Sequence, residues 1–587
     1  MRGNRRDVLK YGAMIAAGLH TAPALGRSST LSGGGKRPNI ILILADDMGY
    51  SDLGCYGSEI ATPNLDRLAT SGMRFAQFYN SPRCCPSRAS LMTGMYSHQA
   101  HMGMMVDDHG RYPFPAYDGD LNKGCVTIAE ALKAGGYATF MTGKWHLTPH
   151  AKTTDPHVDK TNWPCQRGFD RFYGIITGAA DYFNPNTLCR DNTPIRETAP
   201  DFYFTDGIAD NAVTFIGQAP KDKPFFGYVA FNAPHWPLHA PEKVVAKYRA
   251  RYQQGWDKTR ADRHAKQISE GLVDPKWPLT KRDPRVPAWS RASYKDWEAE
   301  RMAVYAAQVD ILDQGVGRIV AKLEELGELD NTLIFFMVDN GGNFEELGPG
   351  KPNGKRPIYM NYKTRDGRPI EPGNSPRIMP GPATTYASYG GPWGNASNTP
   401  FRMYKHYAHE GGISTPFIAH WPAGIAAAGT VTQQIGHEID VMATCLAASG
   451  VAYPHDSVAG TPPPPLEGRS LLPAFAGKPV PGRGMLFWEH EGNCAVRDGK
   501  WKLVSRFPDA WELYDMEADR TETDDLVDRE PAQVARLAAA YEAWAKRVGA
   551  QPWPMPQTPP GARTGALPMP DYLRVDRPIG SVVRSEI

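Results

Sequence analysis

Short, continuously apolar runs alternate along this chain with longer segments that carry a helical repeat. The first run begins at Asn39 in the stretch NIILILADD, and its unbroken hydrophobicity predicts a strand that is buried on both faces of a sheet. The other predicted elements are strands at 137–141, 225–231 and 333–338 and helices at 127–134 and 297–326. This alternation predicts an α/β fold with a large, mostly parallel sheet sandwiched by helices.

Polar side chains follow each of these predicted strands. Because the carboxyl ends of parallel strands meet at one edge of a sheet, such side chains should converge on a single crevice, where α/β sheets bind their ligands. The side chains are Asp46, Asp47, Lys144, His146, His235, Asp339 and Asn340. We therefore expect one site at this edge of the sheet.

Changes in composition divide the chain into four predicted parts. Residues 1–26 have a basic start with Arg5-Arg6, a short apolar middle and a small-residue cleavage site, which is typical of an export signal and resembles a twin-arginine signal. An ordinary secretory leader is the alternative. The remaining parts are a main α/β domain at 36–480, a small C-terminal α+β subdomain of antiparallel strands plus a helix at 481–550, and a Pro-rich extended tail at 551–587.

Bulk composition excludes several classes of function. The formal net charge is +2 and no Lys/Arg block occurs beyond the first residues, so nothing indicates a nucleic-acid surface. No apolar stretch after the signal is long enough to span a membrane, and the export signal predicts a periplasmic or secreted protein. The eight cysteines are dispersed and lack CxxC spacing, so they form neither a disulfide framework nor a zinc cluster.

Four of the polar residues offer only oxygen ligands. The carboxylates and amide of Asp46, Asp47, Asp339 and Asn340 suit a hard cation such as Ca²⁺ or Mg²⁺, and flexible oxygen-rich coordination favours Ca²⁺. Each pair alone also fits an ordinary turn at the end of a strand. Their occurrence after two separate strands favours the metal site.

The stretch YNSPRCCPSRASLMTGMYSH contains a thiol pair, Cys84 and Cys85, in front of a predicted short helix that ends at Gly94. Pro86 suits the first helical position, so Cys84 should lie just before the helix N-terminus, where anionic groups are stabilised. A nucleophile, a thiolate in redox chemistry and a structural cysteine are the three interpretations that this position leaves open.

Residues 84–94 resemble the signature of the type I, formylglycine-dependent sulfatases of the alkaline phosphatase superfamily, Cys-x-Pro-Ser-Arg-x-x-x-Leu/Met-Thr-Gly. The resemblance is strongest to the bacterial arylsulfatases and extends to the segments GKWH, DNGG, NTPFRMYKHYAHEGGISTPFI and WELYDMEADRTETDDL. It implies an alkaline phosphatase-like fold and a sulfuric ester hydrolase. It also implies that Cys84 is oxidised to Cα-formylglycine by a maturation enzyme, whereas Cys85 occupies the variable position.

The resemblance assigns roles to individual residues. Asp46, Asp47, Asp339 and Asn340 would bind one Ca²⁺, with the modified Cys84 facing the ion. Arg88 and Lys144 would hold the formylglycine hydrate and the charge of the sulfate. His146 would accept a proton from the hydrate, while His235 and Lys405 would bind sulfate and help the leaving oxygen to depart. The implied substrate is a small sulfate ester, most simply an aryl sulfate, with sulfated carbohydrates as a further class.

Two other functions remain open from the sequence. Phosphonate monoester and phosphodiester hydrolases share the signature, although they tend to carry Asp-His where this chain has Asp339-Asn340. A catalytically silent extracellular binding protein with an unmodified Cys84 is the third interpretation. The chain also departs from many relatives at 413–416, where Ile-Ser-Thr-Pro replaces Ile-Arg-Val-Pro and an arginine is absent.

Overall fold

The computed structural model describes residues 36–348, 356–454 and 462–557. Its strands are β1 (Asn39–Ala45), β2 (Met73–Tyr79), β3 (Ala138–Lys144), β4 (Arg171–Ile175), β5 (Leu188–Arg190), β6 (Thr193–Pro194), β7 (Phe225–Ala230), β8 (Thr332–Val338), β9 (Glu371–Pro372), β10 (Thr385–Tyr386), β11 (Phe417–His420), β12 (Thr430–His437), β13 (Leu486–His490), β14 (Asn493–Asp498), β15 (Trp501–Ser505) and β16 (Glu512–Asp515). The predicted export signal at 1–26 and the tail beyond residue 557 lie outside these residues.

The helices connect and cover the strands. They are α1 (Pro63–Thr70), α2 (Cys84–Thr93), α3 (Ile128–Ala134), α4 (Phe204–Gln218), α5 (Glu242–Val245), α6 (Arg249–Tyr252), α7 (Gly255–Ser269), α8 (Lys295–Glu325), α9 (Gly390–Ser397), α10 (Glu410–Ile413), α11 (Ile439–Ser449), α12 (Leu472–Phe475) and α13 (Pro531–Val548). Within the described part of the chain, none of them combines the length and the apolar character that a membrane crossing requires.

Ten strands form one mixed sheet in the order β12-β2-β11-β8-β1-β7-β3-β4-β5-β6. The central strands β8, β1, β7, β3 and β4 are all parallel to one another. Antiparallel pairing is confined to β11, between β2 and β8, and to the edge strands β5 and β6. The predicted large, mostly parallel sheet is therefore confirmed.

Strand β1 shows why the sequence forms a sheet that is covered on both faces. All of its residues are buried, and alternate side chains point to opposite faces. Ile41 and Ile43 pack in the cluster that contains α4 and α8, whereas Ile40, Leu42 and Leu44 pack with α2, α3 and α11. A strand that is buried on both faces needs apolar side chains at successive positions, which is the pattern that the sequence shows.

The C-terminal subdomain is also confirmed. Strands β13 to β16 form an antiparallel sheet in chain order, and α13 covers one face. Leu537 of α13 is completely buried against Val496, Leu503 and Leu513.

Three predicted details need correction. Helix α2 begins at Cys84, two residues before Pro86, so Cys84 is inside the first turn of the helix. Strand β3 extends to Lys144, which makes this lysine the last residue of the strand. The sequence predicts the charged segment 244–296 to be a long surface insertion, but Arg263 of α7 is buried and pairs with Asp52 at 2.6 Å and Glu59 at 2.8 Å.

Candidate active site

The carboxyl ends of β1 and β8 bring the predicted oxygen ligands together. These strands are parallel neighbours with Ala45 opposite Val338, so the residues that follow them meet. Asn340 Nδ2 donates to Asp47 Oδ1 at 2.7 Å, and the backbone N–H of Asp47 donates to Asp339 Oδ1 at 3.2 Å. Asp47 adopts a φ of 65°, a conformation that costs energy for a non-glycine residue and is frequent at functional sites.

Two oxygens of this set lack a donor. Among the described residues, Asp46 Oδ1 and Asn340 Oδ1 are buried without a hydrogen-bond partner. A buried acceptor without a donor is costly, and both oxygens belong to the group that suits a hard cation. Burial, reinforced by the charge of Asp46, raises the pKa of Asp339, and a cation bound there would relieve this repulsion. The donor set therefore fits Ca²⁺.

Three buried cations surround the carboxylates. Lys144 Nζ lies 2.5 Å from Asp46 Oδ2, and Lys405 Nζ lies 2.7 Å from Asp47 Oδ1. Arg88 donates through two nitrogens to Asp339 Oδ2, at 2.9 and 3.1 Å. A third Arg88 nitrogen donates to the carbonyl of Lys144 at 2.9 Å.

The charges of these groups are mutually stabilised. Burial would raise the pKa of Asp47, but the ammonium of Lys405 and then His235 hold it below its usual range. Burial would lower the pKa of Lys405, and Asp47 holds it above its usual range instead. Both side chains are therefore charged at neutral pH and form a fixed electrostatic frame around the crevice.

Cys84 is buried among the carboxylates. Its Sγ and one ligand atom each of Asp46, Asp47 and His235 all lie within 4.8 Å of one another. Burial raises the pKa of the Cys84 thiol to about 11, with Lys405 and Lys144 opposing this. Since a thiolate is the reactive form of cysteine, a raised pKa argues against redox chemistry by an activated thiol at this position.

The two histidines take different positions. His235 Nδ1 lies 2.7 Å from the carbonyl of Trp236, and its Nε2 lies 3.5 Å from Asp47 Oδ2, inside the group of carboxylates. Burial lowers the pKa of His235 to about 3. His146 Nε2 lies 3.2 Å from the sulfur of Cys85 rather than from Cys84. The crevice thus collects the predicted residues, with His146 at its edge.

Several contributors were not predicted from the sequence. Asn343 Nδ2 donates to Asp47 Oδ2 at 2.9 Å, and its position directly after DNGG was an available signal. Glu345 Oε1 pairs with Arg83 at 3.1 Å, and Glu345 Oε2 accepts from Trp236 Nε1 at 2.6 Å. Arg83 precedes Cys84, so Glu345 links the mouth of the crevice to the start of α2.

The departure at 413–416 has a structural counterpart. Arg520, from the C-terminal subdomain, is completely buried and donates to Ser414 Oγ at 2.8 Å. An arginine that is distant in sequence therefore places its guanidinium beside the loop from which the expected arginine is absent.

Comparison with known proteins agrees with this geometry. The model of the family described as Sulfatase matches residues 38–451, and that described as N-sulphoglucosamine sulphohydrolase, C-terminal, matches 401–543. An arylsulfatase of Klebsiella aerogenes is 32% identical over 474 residues, which cover 78% of this chain and 94% of the relative. An uncharacterized sulfatase of Schizosaccharomyces pombe is 31% identical over 525 residues, covering 84% of this chain and 91% of the relative.

A solved structure shows the same fold. The crystal structure of Ps i-CgsB in complex with k-i-k-neocarrahexaose superposes with a TM-score of 0.61 and 26% identity, covering 87% of this chain and 93% of that one. Family match, sequence identity and fold agree with the arrangement around Cys84. The chain therefore belongs to the sulfatase family and is a sulfuric ester hydrolase.

Proposed function

We propose that the protein hydrolyses sulfate monoesters with Cys84 in the form of Cα-formylglycine and one Ca²⁺ held by Asp46, Asp47, Asp339 and Asn340, with the modified Cys84 facing the ion. One observation carries the proposal: acceptor oxygens without a hydrogen-bond donor lie in the same group of side chains as the buried Cys84. When bound, the ion would polarise the sulfate group, and a hydrated aldehyde would supply the nucleophilic hydroxyl.

The protein's own side chains would bind and orient the sulfate group. Lys144 and Lys405 are fixed by ion pairs with Asp46 and Asp47, so their ammonium groups would present positive charge to an anion without reorganisation. Arg88 holds Asp339 and the end of β3 in place. His235 has a ring nitrogen within 4.8 Å of Cys84 Sγ, and His146 contacts the adjacent Cys85, which suits one histidine for the leaving oxygen and the other for proton removal.

Aromatic side chains pack beside His235, and they would favour an aryl sulfate as the substrate. Trp236 packs against His235 with ring centroids 4.3 Å apart, and Tyr359 lies 5.9 Å from Trp236. Both rings are largely buried, and Tyr359 belongs to the segment 343–398, which the sequence predicts to be a Gly- and Pro-rich surface insertion. Aromatic rings also stack on sugars, so we propose sulfated carbohydrates as the second substrate class, in line with the k-i-k-neocarrahexaose in the crystal structure of the relative.

The proposal includes maturation and export. A formylglycine-generating enzyme would have to reach Cys84 before the chain folds, because only 1% of this residue is exposed in the folded protein. The basic, twin-arginine-like segment at 1–26 supports export to the periplasm or the medium.

Turnover of a substrate panel tests the proposal. We expect hydrolysis of nitrophenyl sulfate and of at least one sulfated saccharide by calcium-loaded protein. A phosphonate monoester should react more slowly, because Asn340 keeps the site oxygen-rich and suited to a hard cation. Faster turnover of the phosphonate than of every sulfate ester would contradict the proposal. No turnover by protein from its own host, with Cys84 kept as an unmodified thiol, would favour a binding protein instead.

A further inference from the structure

Two neighbouring residues fix the side of the His146 ring that carries Nε2. Cys85 Sγ lies 3.2 Å from Nε2, and a Cβ atom on Gly178 would lie only 2.2 Å from the same nitrogen. The ring fits because Gly178 has no side chain and because the sulfur provides a polar contact at the end of the ring. His146 also has a φ of 59°, so its backbone is held in an unfavourable conformation that aims the ring at this position.

A second histidine covers the face of this ring. The rings of His146 and His150 are stacked, with centroids 5.5 Å apart and an angle of 15°. His150 is itself fixed, because its Nδ1 lies 3.2 Å from Asp107 Oδ1 and its Nε2 accepts from the N–H of Gly178 at 3.2 Å. The ring of His146 therefore has little freedom to rotate.

The opposite nitrogen is available for chemistry. His146 Nδ1 is buried and has no partner among the described residues. Burial, followed by the charge of Lys144, lowers the pKa of His146 well below its usual range, so the ring is neutral. The sulfur of Cys85 can accept a weak hydrogen bond from Nε2–H, and this tautomer avoids a buried N–H without an acceptor at Nδ1.

We propose that Cys85 is a positioning residue: its sulfur holds the proton of His146 on Nε2 and leaves the lone pair on Nδ1 to accept the proton released in the reaction. In that step the O–H bond of the hydrate's second hydroxyl breaks, and the proton forms an N–H bond at Nδ1, so the ring becomes an imidazolium. The electron pair left on the oxygen forms the C=O bond as the C–O bond to the departing sulfate breaks. The inference rests on the proposed function, because it assigns His146 as the base. The two adjacent thiols thus have separate tasks, with Cys84 reacting and Cys85 orienting the base.

Variants of Cys85 test this inference. Cys85→Ala removes the contact and Cys85→Ser retains a hydrogen-bonding group, while Cys189→Ala removes a buried thiol from β5 as the matched control. Mass spectrometry of the peptide 84–88 gives the fraction of each protein with Cys84 converted, and rates are expressed per converted molecule. This separates an effect on the base from an effect on maturation.

We expect Cys85→Ala to lower kcat by about 10- to 100-fold with little change in KM, as for a misplaced catalytic group. The acidic limb of its pH profile should shift, whereas Cys85→Ser and Cys189→Ala should stay near the wild type. Nitrogen-15 NMR of histidine-labelled protein should show an Nε2–H tautomer for His146 in the wild type and a mixture in Cys85→Ala. A wild-type kcat in Cys85→Ala, or an Nδ1–H tautomer in the wild type, would overturn the inference.

The NMR result does not require turnover. If fully converted wild-type protein hydrolyses no sulfate ester, the proposed function fails. The tautomer of His146 still shows whether Cys85 positions the ring.

Discussion

Two buried clusters of charged side chains in this protein differ in whether all of their acceptor oxygens have a hydrogen-bond donor. The junction cluster joins the main domain to the C-terminal subdomain, and the site cluster surrounds Cys84. The junction cluster is Glu410, Lys502, Arg520 and Glu522, and the site cluster is Asp46, Asp47, Arg88, Lys144, Asp339 and Lys405. All of these side chains are at most 2% exposed. Burial of charge alone therefore does not distinguish a structural cluster from a catalytic one.

Every carboxylate oxygen of the junction cluster has a donor. Lys502 Nζ lies 2.8 Å from both Glu410 Oε1 and Glu522 Oε1. Glu410 Oε2 accepts from Tyr79 Oη at 2.9 Å and Arg520 Nε at 3.2 Å, and Glu522 Oε2 accepts from the backbone N–H of Glu410 at 3.1 Å. Burial would raise the pKa of Glu410, but Lys502 and then Arg520 lower it to about 2.

The site cluster has matching numbers of acids and bases but leaves acceptors without donors. Asp46 Oδ1 of the cluster and Asn340 Oδ1 beside it remain unpaired among the described residues, and the pKa of Asp339 is raised rather than lowered. The difference is that the junction cluster pairs all of its carboxylate oxygens within the protein, whereas the unpaired acceptors at the site cluster belong to residues that we propose as Ca²⁺ ligands. The following experiments test this distinction.

The largest effect is expected at the site cluster. Asp339→Asn should abolish measurable turnover and should weaken Ca²⁺ binding by more than the roughly 10- to 100-fold that loss of an outer-sphere partner costs. Thermal unfolding with and without Ca²⁺ checks this, since a ligand that binds only the folded state raises its Tm. The exposed Asp222→Asn is the matched control. An undiminished Ca²⁺-dependent rise in Tm for Asp339→Asn would contradict the metal site.

A loss of stability without loss of chemistry is expected at the junction cluster. Lys502→Met leaves Glu410 and Glu522 buried beside each other without their shared cation, so the free energy of unfolding should fall by about 3–5 kcal/mol. Urea unfolding measures this, and turnover per folded molecule should persist. Lys500→Met, which removes an exposed ammonium two residues away, should have little effect. Equal destabilisation by both substitutions would remove the basis of the comparison.

A smaller, pH-dependent effect on the free energy of unfolding is expected for Glu410. Its pKa is lower in the folded protein than its usual 4.5, so it contributes stability above that pH and loses this contribution as pH falls toward about 2. Glu410→Gln should therefore be less stable than the wild type at about pH 6 and should approach it at about pH 3. Urea unfolding across this range gives the difference, and a constant gap would be the contrary result.

Much of the fold could be predicted because its central strands are buried on both faces. Strand β1 must be continuously apolar for that reason, and α8 carries a long helical repeat, so both elements could be predicted from the local sequence. Element boundaries were less predictable: Lys144 belongs to β3 because pairing with β4 continues to its end, and a tertiary pairing of this kind leaves no local signal.

The site was predictable in part for similar reasons. Asp46, Asp47, Asp339 and Asn340 follow predicted strands, so topology alone brings them together. Lys405 lies in a loop 358 residues from Asp47 and was found only through the resemblance of its segment to a family. Cys85 occupies a variable position in the signature, and only the folded chain places its sulfur against His146.

The most direct test of the account is the mass of the tryptic peptide 84–88 from protein that was made in its own host and that hydrolyses nitrophenyl sulfate. The account predicts that Cys84 is present as the aldehyde or its hydrate and that Cys85 remains a thiol. Active protein in which both cysteines are intact thiols would contradict the proposed nucleophile, and with it the proposed use of the crevice at the end of β1 and β8.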